Sequence, residues 1–134
     1  MLRERALKVV LALVGLLFTA AAYPVIDSLL HGAGPSDYGD DMMMSLYFVL
    51  GVCLLIAIRN PGANRSLIAF TAWSSFAHAA VMTILGLQHA SERTGFVGGS
   101  VGLVVIGITL IVLTPRSAAE RASAVAVEEP APGK

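Results

Sequence analysis

The chain has 134 residues, of which 56% are hydrophobic and 13% are charged. Water-soluble domains carry roughly 25% charged residues, so this composition excludes an ordinary soluble domain and indicates a chain that is solvated by lipid. The formal net charge is zero, which gives no indication of nucleic-acid binding, and the single cysteine, Cys53, excludes an internal disulfide and a cysteine-based metal cage.

Four apolar segments are each long enough to cross a bilayer core, which requires roughly 17 to 25 apolar residues in a helix. In chain order these segments cover about residues 7–30, 42–58, 66–87 and 96–113. Because a backbone inside lipid must satisfy its own amides, we predict an all-α fold, a four-transmembrane-helix bundle.

The membrane domain is predicted to cover residues 1–116. The remaining segment, 117–134, has few large apolar residues and is predicted to be a disordered tail.

Pro24 is expected to distort the first segment. Proline has no amide hydrogen, and its ring clashes with the carbonyl four residues earlier, here that of Ala20. We therefore predict that the first helix kinks at Pro24 or ends near Tyr23.

The first segment also has features of a signal peptide. The basic stretch RERALK precedes an apolar run that ends in Ala20-Ala21-Ala22, a small-residue cleavage site. Cleavage there would leave three spans. The run is long for a signal peptide and apolar residues resume after Pro24, so we favour an uncleaved first helix.

The positions of Lys and Arg predict that both termini are cytoplasmic, because positively charged loops tend to stay on that side. The N-terminal residues 1–8 and the residues after the fourth segment have three basic residues each, the second loop has Arg59 and Arg65, and the third loop has only Arg93. This orientation places eight basic residues inside and one outside.

The third segment contains a stripe of polar residues. At 100° per residue, one helix face carries four polar side chains, Thr71, Ser74, Ser75 and His78. Such a face is unfavourable against lipid and should point into the bundle, where the hydroxyls donate to carbonyls of their own helix or of a neighbour. Trp73 points the opposite way.

His78 is the strongest candidate for a functional residue. It lies about 18 Å along the helix from Ser66, hence near the middle of the membrane, where an ionisable side chain usually has a function. It could carry a proton, bind a haem or metal, or hydrogen-bond a quinone-like head group. The alternative is a neutral histidine satisfied by Ser74, Ser75 or another helix.

Three residues are candidate oligomer contacts. Trp73 lies about 10 Å inside the membrane from Ser66, so its indole N–H needs a partner on another helix or subunit. Gly98 and Gly102 form a GxxxG pattern in the fourth segment, and small residues allow helices to approach closely.

Acidic and imidazole side chains near the predicted outer surface match no metal-binding motif, so we predict no metal ion and no cofactor. Asp27 belongs to this outer group and is expected to lie about 10 Å above His78, too far for a direct pair. Asp40 and Asp41 precede the second segment, where carboxylates favour a helix N-terminus.

The stretch RNPGANRSLIAFTAWSSFAHAAVM, residues 59–82, together with RERALK and Tyr23-Pro24, resembles a group of short bacterial membrane proteins of unknown function. The resemblance covers about the first 113 residues. It implies four membrane helices in a bacterial inner membrane and no established activity, cofactor or substrate.

Three functions remain open at this point. The first is a non-enzymatic accessory or interaction subunit that binds a membrane protein partner or a second copy of itself within the lipid bilayer. The second is a small carrier or proton-linked transporter that uses His78. The third is a redox-associated membrane protein that binds a quinone or haem. No catalytic constellation is present in the sequence, so we do not predict an enzyme.

Overall fold

The computed structural model describes residues 2–32, 34 and 38–114, and all regular structure in this part of the chain is helical. Five helices follow one another: α1 (Leu2–Thr19), α2 (Ala22–His31), α3 (Tyr38–Ala57), α4 (Arg65–Gln88) and α5 (Arg93–Leu113). With α1 and α2 forming one interrupted span, four spans are long and apolar enough to cross a membrane. The predicted all-α architecture with four membrane helices is confirmed.

The helices begin earlier than the apolar segments do. α3 begins at Tyr38, so Asp40 and Asp41 lie in its first turn and do not precede it. Carboxylates are favourable there because they oppose the partial positive charge of the helix N-terminus. The predicted end of the membrane domain at residue 116 and the predicted disordered tail, 117–134, lie outside the described residues.

The break between α1 and α2 lies at Ala20 and Ala21, upstream of Pro24. Pro24 cannot donate to the carbonyl of Ala20, and that carbonyl accepts from the amide of Tyr23 at 3.0 Å instead. The amide of Ala21 similarly donates to Phe18 at 3.1 Å, three residues back. The proline thus acts one turn ahead of its own position, which is why the kink is not at Pro24 itself.

The spans form two closely packed pairs, α1 with α3 and α4 with α5, while α3 and α4 hardly touch. Contacts between α1 and α5 join the two pairs. The core lies where the pairs meet and consists of eight buried apolar residues: Leu7, Leu11, Val14, Phe18, Leu54, Ile68, Ala72 and Leu110.

Two glycines allow the helices within each pair to approach closely. A Cβ on Gly51 of α3 would lie 2.5 Å from the amide nitrogen of Thr19 and 2.7 Å from the carbonyl oxygen of Gly15, both on α1. On α5, a Cβ at Gly107 would lie 2.6 Å from the ring of Phe76 in α4. Both pairs therefore pack at distances that only glycine allows at these points.

Polar contacts fasten the α4/α5 pair and the ends of the bundle. Ser100 donates to the carbonyl of Ala79 at 3.1 Å, and the hydroxyl of Thr83 lies 3.1 Å from that of Ser100. The guanidinium of Arg3 donates to the carbonyls of Val112 and Thr114 at the end of α5. The start of α1 and the end of α5 are therefore at the same end of the bundle, as an even number of spans requires.

Candidate functional site

A cleft of about 630 Å³ separates α3 from α4. Its walls are mainly apolar side chains, among them Leu46, Val49, Leu50, Leu67, Phe70 and Val81. Four side chains in the lining bear a hydroxyl, thiol or imidazole: Tyr47, Cys53, Ser74 and His78. The volume and the combination of apolar walls with few polar groups are typical of small-molecule sites.

The predicted polar stripe of α4 divides into two. Thr71 and Ser75 are 0% and 1% exposed and point into the bundle, whereas Ser74 and His78 line the cleft. All three hydroxyls donate to carbonyls of their own helix: Thr71 to Leu67 at 2.9 Å, and both serines to Thr71, at 3.1 Å from Ser74 and 2.7 Å from Ser75. Their hydrogen-bonding needs are therefore met locally, and they impose no particular ligand.

His78 differs from these residues because no hydrogen bond to its imidazole is found within the described chain. Its ring packs edge-on against Tyr47, with 5.5 Å between the ring centroids and 70° between the planes. Tyr47 in turn packs edge-on against Phe18 of α1 at 4.8 Å. Such contacts stabilise by about 0.5–1.5 kcal/mol each but satisfy neither the imidazole nor the phenol hydroxyl.

The imidazole of His78 and the hydroxyl of Tyr47, neither of which has a hydrogen bond among the described residues, define the chemistry of the candidate site. Neither polar group is fully enclosed by the described residues, so each is accessible to a molecule in the cleft, and a hydrogen bond to such a ligand contributes about 0.5–1.5 kcal/mol net. One face of the imidazole–phenol pair borders the cleft, so a ligand in the cleft is within reach of one donor and one acceptor at least.

A second, smaller cavity lies at the other side of the same pair. This vestibule, as we call it, has a volume of about 240 Å³ and is bounded by all four spans. Its lining includes Phe18 and Ala21 beside the α1 break, Met82 of α4, and Gly99 of α5. His78 and Tyr47 are the two residues that line both the cleft and the vestibule.

The candidate oligomer contacts lie on outward surfaces. Trp73 is 67% exposed and packs edge-on against Phe76 at 5.8 Å, and no hydrogen bond of its indole is found among the described residues. A Cβ at Gly98 or Gly102 would meet no atom within 4 Å. The GxxxG glycines thus take no part in packing within one chain.

Asp27 and Asp41 lie at the α2 end of the bundle and do not line either cavity beside His78. Asp27 contacts the imidazole of His31 one turn along α2, at 3.0 Å. Asp41 accepts a hydrogen bond from Ser28 at 2.6 Å, which joins α2 to the start of α3. Within the described part of the chain, no three His, Cys, Asp or Glu side chains come together as metal ligands would.

Two residues that matter in the structure, Tyr47 and Ser100, could not be identified from the sequence. Tyr47 lies in the apolar stretch MMMSLYFVL, and no periodic signal relates it to His78, because the two residues are on different helices and meet only in the folded bundle. The glycines near Ser100 carry the prediction of helix contacts, and Ser100 itself is not predicted to form one. A serine among small residues is nevertheless a common site of contact between membrane helices.

Comparison with curated proteins found no significant match, and neither did comparison with solved structures. A family model described as a family of unknown function, DUF6632, matches residues 2–128. The match extends further towards the C-terminus than the resemblance seen in the sequence, which ended near residue 113. With nearly its whole length covered, and with four helices apolar enough to cross a membrane, the chain belongs to the DUF6632 family of unknown function.

Proposed function

We propose that this protein is a non-enzymatic membrane protein that binds a lipid-soluble molecule with a hydrogen-bonding ring, of the quinone class, in the cleft between α3 and α4. The observation that carries the proposal is the imidazole of His78, which faces an apolar cleft without a hydrogen-bonding partner among the described residues.

The shape of the cleft suits such a molecule. Apolar side chains of both helices line a volume of about 630 Å³, which accommodates a substituted ring and part of an isoprenoid or alkyl chain. A carbonyl oxygen on the ring would accept from His78 or Tyr47, while a ring hydroxyl would donate to the imidazole. A purely aliphatic molecule would leave both groups unpaired and would bind less well.

Access from the lipid phase also supports the proposal. Leu46 and Phe70, on opposite walls of the cleft, are 72% and 63% exposed, so the opening faces the region that lipid would occupy. A lipid-soluble molecule could therefore enter sideways without crossing water.

A binding role is preferred to catalysis because the serine hydroxyls of α4 near His78 are engaged and no carboxylate orients the imidazole. Ser74 and Ser75 donate to a carbonyl of their own helix, and the linings of the cleft and vestibule contain no carboxylate to orient His78. A serine–histidine pair without such an orienting group is a poor acyl-transfer site.

Cys53 provides a direct test, since it is the only cysteine in the chain and lies in the cleft. We expect decylubiquinone to protect Cys53 of the full-length protein in lipid nanodiscs from a lipophilic maleimide. His78→Phe keeps the ring and removes both nitrogens, so it should weaken this protection by about three- to tenfold, the value of one net hydrogen bond.

Gly98→Ala, on an open face of α5, is the matched control and should protect as the natural protein does. Equal protection by decylubiquinone and by a plain alkane of similar size would contradict the proposed ring recognition. Mass spectrometry of small molecules that co-purify with the protein would identify the natural ligand, and a visible absorption band would favour haem over a quinone.

A second candidate function, the accessory or interaction subunit, is favoured by the outward position of Trp73. Its indole N–H lies on an exposed face of α4 and has no partner within the described chain. Trp73→Phe should reduce co-purification of a partner or of a second, differently tagged copy in mild detergent. Unchanged recovery of every associated protein would argue against this role.

We further propose that the protein resides in a bacterial inner membrane with both termini in the cytoplasm. Arg3, Arg59 and Arg65 lie at one end of the bundle, which supports this orientation through the bias of basic residues. Reporter fusions at residue 114 and in the α4–α5 loop should report opposite sides, with the former inside.

A further inference from the structure

We infer that Tyr47 and His78 form a movable partition between the cleft and the vestibule, so that a molecule bound in the cleft has a second way out towards the α2 end of the bundle. This would make the protein a small carrier for the ligand class proposed above, and the inference rests on that proposed function.

The position of the partition follows from the linings of the two cavities. Ser74 lies one turn before His78 and lines the cleft, whereas Met82 lies one turn after it and lines the vestibule. Val81, immediately before Met82, still lines the cleft, so the two cavities lie side by side on two faces of α4, with His78 at their boundary. On α3, Tyr47 likewise lies at the boundary between the face that lines the cleft and the face that lines the vestibule, and its ring meets that of His78.

The partition is built to move more easily than the rest of the bundle. Only edge-on ring contacts are found between Tyr47 and its neighbours Phe18 and His78, with no hydrogen bond fixing either polar group in the described structure. The residues beside it include Met44 and Met82, whose unbranched side chains adapt readily to a change of shape. Because α3 and α4 hardly touch, a rotation of the two rings disturbs little helix packing.

The vestibule connects the partition to one end of the bundle. Its lining includes residues from the end of α1 and from the first half of α5. Ala21, in the interruption between α1 and α2, also belongs to the lining. All these residues belong to the half of the bundle that ends at α2. A passage through the partition would therefore lead from a cleft that opens to lipid towards the α2 side of the membrane.

Thiol labelling tests the partition in the full-length protein expressed in cells. In a Cys53→Ser background, a single cysteine is placed either in the vestibule, Met82→Cys, or in the cleft, Ser74→Cys. The charged, membrane-impermeant reagent 2-sulfonatoethyl methanethiosulfonate is then added from the α2 side. We expect the Met82→Cys protein to react and the Ser74→Cys protein to react much more slowly.

Removing the partition should abolish this difference. Adding Tyr47→Ala to Ser74→Cys should increase its labelling rate at least about fivefold, the population change that corresponds to losing two edge-on ring contacts. Tyr47→Phe retains both contacts and should leave the rate unchanged. Leu103→Trp, which fills the vestibule, should cancel the increase caused by Tyr47→Ala.

Two results would overturn the inference. One is a lack of reaction at Met82→Cys, which would mean that the vestibule does not open to water on that side. The other is a rate at Ser74→Cys that Tyr47→Ala does not change. Protection of Cys53 by decylubiquinone is measured separately, so ligand binding and passage through the partition can fail independently.

Discussion

The two long helices α3 and α4 each have one closely packed face and one face that borders the cleft. On the packed face of α3, Gly51 allows backbone contact with α1, and on that of α4, Ala79 and Thr83 bond to Ser100 of α5. On the cleft faces, Tyr47 and His78 pack through apolar and ring contacts, and neither has a side-chain hydrogen bond among the described residues. Close packing and the proposed binding site therefore lie on opposite faces of the same helices, so substitutions should separate stability from binding.

The largest effect is expected on the packed face of α3. Gly51→Ala places a Cβ within 2.5 Å of a backbone nitrogen of α1, and backbone atoms cannot move aside as a side-chain end can. We expect a loss of about 1–3 kcal/mol in the free energy of unfolding, as is usual for overpacking. Unfolding in mixed micelles with increasing sodium dodecyl sulfate, followed by circular dichroism, measures this loss.

Gly98→Ala is the control for this substitution, because its added methyl group would meet no atom within 4 Å. Alanine favours a helix over glycine by about 0.5–1 kcal/mol, so this variant should be as stable as the natural protein or slightly more stable. If both alanine variants were equally stable, the close approach of α1 and α3 would not be a determinant of stability.

An intermediate effect is expected from the hydrogen bonds between α4 and α5. Ser100→Ala removes the hydroxyl that contacts both Ala79 and Thr83, and contacts of this kind between membrane helices average about 0.6 kcal/mol and reach about 1.7 kcal/mol. Ser75→Ala is the matched control, since that serine is also buried and donates within its own helix, whereas Ser100 contacts α4 in addition to the carbonyl of Phe96 in its own helix. A larger loss for Ser75→Ala than for Ser100→Ala in the same unfolding assay would contradict this assignment.

The sequence predicts more of the fold than of the candidate site. Apolar length and the need to pair backbone amides in lipid determine the four spans, and the chemistry of Pro24 predicts an interruption of the first, although it lies one turn earlier. The sequence places Ser74 and Ser75 on one helix face, whereas in the structure Ser74 lines the cleft and Ser75 is buried in the bundle. A rotation of 100° per residue does not show where the neighbouring helices lie, so it could not predict this division.

The limits of prediction are clearest for His78. Its depth in the membrane follows from counting residues along α4, and this alone marks it as a candidate. Its partner Tyr47 and the cleft depend on how far apart α3 and α4 lie, which is determined by packing against α1 and α5. Gly51 and Gly107 set those distances from the opposite faces of the two helices, where the sequence gives no indication of the cleft.

The smallest change in stability is expected on the cleft face, and it separates a structural histidine from a binding one. His78→Phe preserves a ring that can pack against Tyr47 and removes two nitrogens that have no partner in the described structure. Because an unpaired polar group in an apolar setting is unfavourable, the variant should unfold at the same denaturant fraction as the natural protein or at a slightly higher one. A histidine that only supports the fold would instead cause a loss of stability when replaced. Preserved stability with weakened protection of Cys53 would mean that the imidazole is retained for the ligand, as binding residues often are at some cost to the fold.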